Sequence, residues 1–445
     1  MKLLLFMLAI ISISMVNAQN SQLCVAHNDE ASLDAILNEI NNSYLRSPAF
    51  INFKKKNISF KREQFNHVTF EWPLRANFTY QDIPNYFVIS NYVDLTPEDT
   101  TIVQDYLCGT RTYDKHRGID ITLFPFSWHM MEKDYVQVLA AADGIVQTVR
   151  DTFNNDYNCQ GCKSDNDSNN RVILVHADGS KSIYYHIKTN SVLVDENQIV
   201  KSGEPIAFVA SSGCSFAPHL HFEVRDSNNN VVEPFWGICN NTTSESWWDI
   251  QKPYWVSEIN RVMCHSNKPT LIGGQIFPGW CEPAENMYPK NDFAPGDSIY
   301  YGIAVKDILQ GGIVEVTVTN PNGLLIFQNS YNHGSNQPFN AFYLSFPSKI
   351  SPSASAGVYK IAVSFVNKTY VHYFTVNCQN SYSLSGIISQ DSAFLAAQSI
   401  LSSQTLGSLI DAKYQAGNYI NLIPGFHAQS GALIAAQIRS CNFSH

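Results

Sequence analysis

Between Leu107 and Trp236 the chain is written in short apolar runs, often β-branched, separated by turn residues. Val136-Gln-Val-Leu-Ala140 leads through Ala142-Asp143-Gly144 into Ile145-Val-Gln-Thr-Val149. Arg171-Val-Ile-Leu-Val-His176 leads through Ala177-Asp178-Gly179 into Ser182-Ile-Tyr-Tyr-His186. Asp-Gly between two apolar runs predicts a hairpin at each place. Lys201-Ser-Gly-Glu-Pro205 then turns into Ile206-Ala-Phe-Val-Ala210. The pattern predicts a mainly β fold, with an antiparallel β domain over 106–240.

The same patterning returns further on. Ile299–Val305, Ile313–Val318, Val358–Phe365 and Tyr370–Val376 read as strands, punctuated by turns such as Pro321-Asn-Gly323. Strands at this spacing predict an immunoglobulin-like β-sandwich over 286–377, joined to the first domain by a linker with a disulfide over 241–285. The sandwich stretch holds no cluster of metal ligands and reads as a structural or binding module. From 378 to 445 the chain is rich in Ala, Ser, Gly, Ile and Leu, and alternates in strand fashion around glycine turns. It resembles a short β-stacked module common at the C-termini of exported Bacteroidota proteins, which implies export and surface retention rather than chemistry.

The first hundred residues are less legible. Residues 1–18 read as a signal peptide: Lys2, an apolar run from Leu3 to Val16, and small residues at Val16-Asn17-Ala18. That run is shorter than the roughly 20 apolar residues a membrane span needs, so no integral membrane segment is expected after its removal. From 19 to 105 the chain is read as a propeptide, an accessory layer on the β domain that follows, or both. Leu33, Ile36, Leu37, Ile40 and Leu45 have helical spacing over Glu30–Tyr44. Phe65, Phe70, Trp72, Phe78 and Tyr80 follow in short alternating runs. Their side chains need a surface to cover, and the segment is expected either to pack on the next domain and narrow its groove or to form a purely structural layer remote from the site.

Composition narrows the classes. Of 445 residues, 44% are hydrophobic and only 15% charged, with 29 basic against 38 acidic side chains. This is a globular composition with no basic footprint for nucleic acid. Ten cysteines, all beyond Ala18, fit an exported, disulfide-bearing chain. Cys264 with Cys281 would staple one loop, and Cys378 with Cys441 would bracket the C-terminal segment. Cys159 and Cys162, with no second such pair for a metal knuckle, read as a local disulfide or as members of separate bridges.

Chemistry concentrates at His116, Asp120, His186, His219 and His221. His219 and His221, two apart on a strand, point to one face. His116 and Asp120, four apart, offer a nitrogen and an oxygen ligand where Gly118 lets the chain turn into a strand. Zinc suits such donors, since a catalytic site keeps three protein ligands and an open position, and it lowers the pKa of a water toward about 7. Neighbouring histidines that are not ligands would move the proton. Other histidines, such as His27, His67, His129, His176 and His427, have no such company and read as structural or solvated.

In order, HRGID, VLAAADGIV, SIYYHI, VKSGEPIAFVASSG and PHLHFEV resemble the successive motifs of the lysostaphin-like (LytM-like) zinc endopeptidases, over about His116 to Val224. The resemblance implies one zinc per chain on His116, Asp120 and His221, with His186 and His219 flanking the water as catalytic groups. It implies an enzyme that cleaves peptide bonds in peptidoglycan cross-links or glycine-rich peptides; with the signal peptide and cysteines, the chain is expected to be secreted, periplasmic or extracellular at the cell surface, and a monomer. Two other readings stand beside it: a non-catalytic wall-binding or hydrolase-activating module, and a secreted protease on other proteins. The long loop from Asp151 to Asn170, and Cys214 and Phe216 before Pro218, depart from the family pattern and could reshape the groove.

Overall fold

The computed structural model describes residues 12–16, 48–57, 67–77, 85–154, 156, 169–213, 215–241, 243–271, 285–336 and 338–441. The helix expected over Glu30–Tyr44, and Cys159, Cys162, Cys214 and Cys281, lie outside them. The fold is mainly β, as the alternation predicts.

An eight-stranded antiparallel sheet carries the first domain. Its order is Phe87–Asn91, Ile119–Leu123, His219–Arg225, Lys181–Tyr185, Arg171–Val175, Gly144–Arg150 and Ile199–Val200, with Val231–Val232 paired to the end of His219–Arg225. Alternation decides the faces: Leu220, Phe222 and Val224 are fully buried, so His219 and His221 project from the other side. A second sheet of Pro205–Phe208, Val136–Leu139 and Leu74–Ala76 closes the core.

The two Asp-Gly signals fold differently. Asp178-Gly179 makes the expected hairpin between Arg171–Val175 and Lys181–Tyr185, with Gly179 at φ +90°, where a side chain would be strained. Asp143-Gly144 does not, because Val136–Leu139 belongs to the smaller sheet and Gly144–Arg150 to the larger one. The Asp143 carboxylate is committed elsewhere. It accepts the Ser202 amide at 2.9 Å and the Lys201 ammonium at 2.7 Å, so it fastens one turn to another rather than closing its own.

The segment before Asp105 is woven into this domain. Leu74–Ala76 and Phe87–Asn91 each add a strand. Phe70 is fully buried, with ring centroids 5.9 Å from Phe222 and 6.1 Å from Trp247. Of the aromatics that looked in need of a surface, Phe70 is part of the core itself and Trp72 packs against it, while Phe65, Phe78 and Tyr80 lie outside the described residues. A helix at Pro48–Asn57 packs Phe50 and Phe53 on Ile145 and Val175. The disulfide Cys108–Cys239 ties the loop before His116 to the chain beyond the last catalytic strand.

The next unit is a two-sheet sandwich. One sheet joins Glu258–His265, Ser298–Ile308 and Phe339–Lys349; Ser12–Val16, within the segment read as a leader, pairs along its edge. The other joins Asp292–Phe293, Lys368–Val376, Gly357–Phe365, Ile313–Thr319 and Leu325–Asn332. Its first strand, Glu258–His265, comes from the stretch read as linker. Cys264 is a buried free thiol, so the Cys264–Cys281 staple is not formed: burial on a sandwich strand gives Cys264 an apolar packing role. The C-terminal stretch winds three rungs of parallel strands, each contributing to three sheets, and Cys378–Cys441 brackets it as expected.

The sandwich grips the catalytic domain along Phe87–Asn91. Asn260 donates to the Phe87 and Phe124 carbonyls at 3.2 and 3.3 Å, and Asn340 to the Ser90 carbonyl at 3.4 Å. Arg111 crosses the junction. Its guanidinium bonds Asp307 at 3.0 Å, the Tyr254 carbonyl at 2.6 Å and the Ile89 carbonyl, and lies 4.5 Å from the Trp255 ring centre. Arg111 and Asp307 are both buried, and Asp307 also accepts the Val256 amide at 2.8 Å. Removing one partner strands a buried charge, which costs about 3–5 kcal/mol. Asp307→Ala should therefore lose that much in urea unfolding of the native chain. A loss below about 1 kcal/mol would show that the pair does not hold the junction.

Candidate active site

The register between Ile119–Leu123 and His219–Arg225 sets His221 directly opposite Asp120, and His219 opposite Thr122. On its other side His221 lies opposite Tyr185, and His186 follows at the strand end. Local pairing thus brings the five residues singled out in the sequence to one face. His116 arrives from the loop before Ile119, which the buried Asp94 organises by accepting the amides of Lys115, Thr96 and Gln104 at 2.9, 3.1 and 3.2 Å.

Three ligand-type atoms converge. His116 Nε2 is 3.2 Å from Asp120 Oδ1 and 3.2 Å from His221 Nδ1, and His221 Nδ1 is 3.0 Å from Asp120 Oδ1. Donors about 2.0–2.1 Å from a tetrahedral zinc stand about 3.3 Å apart, so this triangle is the right size. Proton placement agrees. His116 Nδ1–H donates to the Tyr92 carbonyl at 2.6 Å, which leaves the Nε2 lone pair facing the triangle. Asn91 Nδ2 donates to Asp120 Oδ2 at 2.9 Å, which leaves Oδ1 facing it. Such outer partners fix the orientation of metal ligands.

The electrostatics favour a cation at the same place. Burial opposes charge on Asp120, yet His116 and His219 hold its carboxyl well below the usual range. Burial likewise opposes charge on His221, yet Asp120 and Glu223 raise it to about 9. Glu223 is buried two residues along the same face, 3.9 Å from His221 Nε2. Against its own burial, Arg225 and His221 keep it ionised, with a pKa of about 2. Without a metal the cluster attracts a proton to the spot a divalent ion would take, so metal binding would release that proton.

His186 and His219 stand beside the triangle with their ring centres 4.5 Å apart. His219 Nδ1–H donates to the Ala217 carbonyl at 2.7 Å, and its Nε2 lies 3.4 Å from Asp120 Oδ1. His186 Nδ1–H donates to the Ser212 carbonyl at 2.7 Å. In the neutral ring each therefore carries its lone pair on Nε2. Burial, then repulsion from His219 and His221, pushes His186 well below the ordinary imidazole value. His186 also has φ +61°, a conformation non-glycine residues adopt only when neighbours impose it.

The structure brings together the five side chains singled out in the sequence. The sequence pattern missed Asn91 and the carbonyls of Tyr92, Ser212 and Ala217, since main-chain acceptors leave no trace in residue type. It also gave Gly118 the wrong reason. Gly118 shows no left-handed φ; a Cβ there would lie 2.5 Å from His221 Nε2 and 2.8 Å from the Phe222 carbonyl.

An antiparallel β domain with a zinc-sized His/Asp/His triangle flanked by two further imidazoles has the make-up of a metal-dependent hydrolase. Residues 114–234 match the model of Peptidase family M23, and this part of the chain is a peptidase M23 domain. The chain is 40% identical over 65 residues to the DD-carboxypeptidase/endopeptidase Mpg of Neisseria meningitidis serogroup B, 15% of this chain and 14% of that protein. It is 37% identical over 62 residues to the peptidoglycan DD-endopeptidase ShyB of Vibrio cholerae serotype O1, 14% of each. This chain thus spans about 14% of the length of these relatives. Among solved structures, the lysostaphin catalytic domain of Staphylococcus simulans aligns with 36% of this chain and 96% of its own length, at 21% identity and a TM-score of 0.22.

Because a Cβ at 118 must displace the His221 ring or the backbone behind it, Gly118→Ala should cost about 1–3 kcal/mol, as overpacking does. A melting temperature equal to the native chain's would mean that the loop yields freely at this point.

Proposed function

We propose that this chain is a secreted zinc-dependent endopeptidase that cleaves peptide bonds in peptidoglycan cross-links. The observation that carries the reading is the triangle of His116 Nε2, Asp120 Oδ1 and His221 Nδ1, with edges of 3.0–3.2 Å. These three would hold one zinc ion. When bound, zinc supplies a Lewis acid that polarises a carbonyl and acidifies water.

The chain's own residues do the rest. His186 and His219, each with Nδ1–H tied to a carbonyl, present Nε2 to take up a proton and return it to the leaving amine. Once protonated, either imidazole offers a hydrogen bond to an oxyanion forming beside the triangle. Asn91 and the Tyr92 carbonyl hold Asp120 and His116 still while this happens. Peptidoglycan is favoured as substrate because Mpg and ShyB, the relatives matched over the motif-bearing segment, are named as acting on DD-linked and peptidoglycan peptides. Export is supported by the leader-like N-terminus and by the disulfides Cys108–Cys239 and Cys378–Cys441. Among the described residues no helix is long and apolar enough to cross a membrane.

The purified mature chain should carry close to one zinc, and 1,10-phenanthroline should abolish release of soluble fragments from purified sacculi; full activity after verified metal removal would sink the zinc mechanism. His221→Ala and Asp120→Ala should lose both metal and turnover. His186→Ala and His219→Ala should keep the metal and lose roughly 10²-fold in turnover, the usual scale for acid–base help. Metal content and rate measured on the same preparations separate the two classes, and zinc loss in His219→Ala with retention in His221→Ala would reverse the assignment.

A further inference from the structure

Away from the histidine cluster, the three units meet around a cleft of about 360 Å³, within the size range of small-ligand sites. Asn85 contributes from the catalytic domain, both sandwich sheets contribute through Glu258–His265 and Lys368–Val376, and the C-terminal solenoid contributes Leu395, Lys413, Gln415 and Arg439. None of the five site residues lines it. Among the described residues the charged side chains of the wall are Arg261, Lys413 and Arg439, with no Asp or Glu. Asp391 and Asp411, whose charge reaches the Tyr373 hydroxyl, stand outside the wall.

Two polar atoms on wall residues have no hydrogen-bond partner. Asn260 is buried, and its Nδ2 is spent on the Phe87 and Phe124 carbonyls, which leaves Oδ1 alone. The Tyr370 hydroxyl is buried and equally alone. Buried polar atoms are seldom left so without reason. An acceptor and a donor on residues that line a basic, aromatic-bearing cleft match a ligand that carries a carboxylate beside amide groups.

The geometry points to this cleft as a second binding site, for a short carboxylate-bearing peptide of the kind that branches from the wall polymer. The proposal rests on the reading of the chain as a peptidoglycan endopeptidase. Such a site would hold one stem peptide on the accessory units while the histidine cluster works on another, which raises the local concentration of the cross-link. Because the wall is drawn from all three units, the site exists only when they are assembled, and this gives the sandwich and solenoid a task that a spacer would not need.

The test uses the full mature chain treated with 1,10-phenanthroline, with the tetrapeptide L-Ala-γ-D-Glu-diaminopimelate-D-Ala as probe in titration calorimetry. Lys413→Gln and Arg439→Gln should each weaken a binding phase at least tenfold, and Tyr370→Phe should weaken the same phase. Neutral chitotriose should give no such phase. In the untreated variants, cleavage of a short soluble peptide should be unchanged while release from sacculi slows. Unchanged affinity in all three variants would overturn the proposal, as would full competition by inorganic phosphate, which would make the cleft a general anion trap. If the native chain left sacculi intact, the endopeptidase reading would fall, while the calorimetry would still decide the cleft.

Discussion

The antiparallel register between Ile119–Leu123 and His219–Arg225 is the constraint on which the site depends. It sets Asp120 against His221 by main-chain hydrogen bonds alone, before any side chain has chosen a rotamer. A slip of one residue would turn Leu220 and Phe222 out of the core and His221 into it. Burial of Leu220, Phe222 and Val224 on the far face therefore guards the chemistry on the near face. The apolar core and the polar cluster are two readings of one strand, and neither can shift without the other.

From that pairing the dependence runs outward. Asp120 is steadied by Asn91, and His116 by the Tyr92 carbonyl, so the chain from Phe87 to Tyr92 orients two of the three candidate ligands. The same stretch is held from outside by Asn260, Asn340 and Arg111, and Arg111 is in turn fixed by Asp307 of the sandwich. The accessory unit is thus two hydrogen bonds away from the carboxylate. The segment ahead of the first motif supplies the strand between them, which binds it to the catalytic fold by backbone pairing as well as by side-chain cover.

How much of this the sequence disclosed follows from the range of each interaction. His219 and His221 were legible because strand periodicity is local, and His116 with Asp120 because the spacing spans one loop. The Asp178-Gly179 hairpin was legible for the same reason. Asp143-Gly144 misled because an identical local signal serves a corner between sheets when its carboxylate finds Lys201 and Ser202. Arg111–Asp307 and Cys108–Cys239 join positions well over a hundred residues apart, and no pattern within a window reports such a meeting. Gly118 sits between these cases: its presence was visible, but its reason is the His221 ring, which reaches it from a distant strand.

The bracket at Cys378–Cys441 has a mechanical consequence. The three parallel rungs lie wholly between the two sulfurs in sequence. Tension applied beyond Cys441 passes through the covalent bridge to Cys378 and so to the last sandwich strand, Lys368–Val376, bypassing the rungs. The solenoid hangs beside the line of force as a slack loop, so it would keep its shape under a pull that, with the bridge reduced, would peel its strands off one rung at a time.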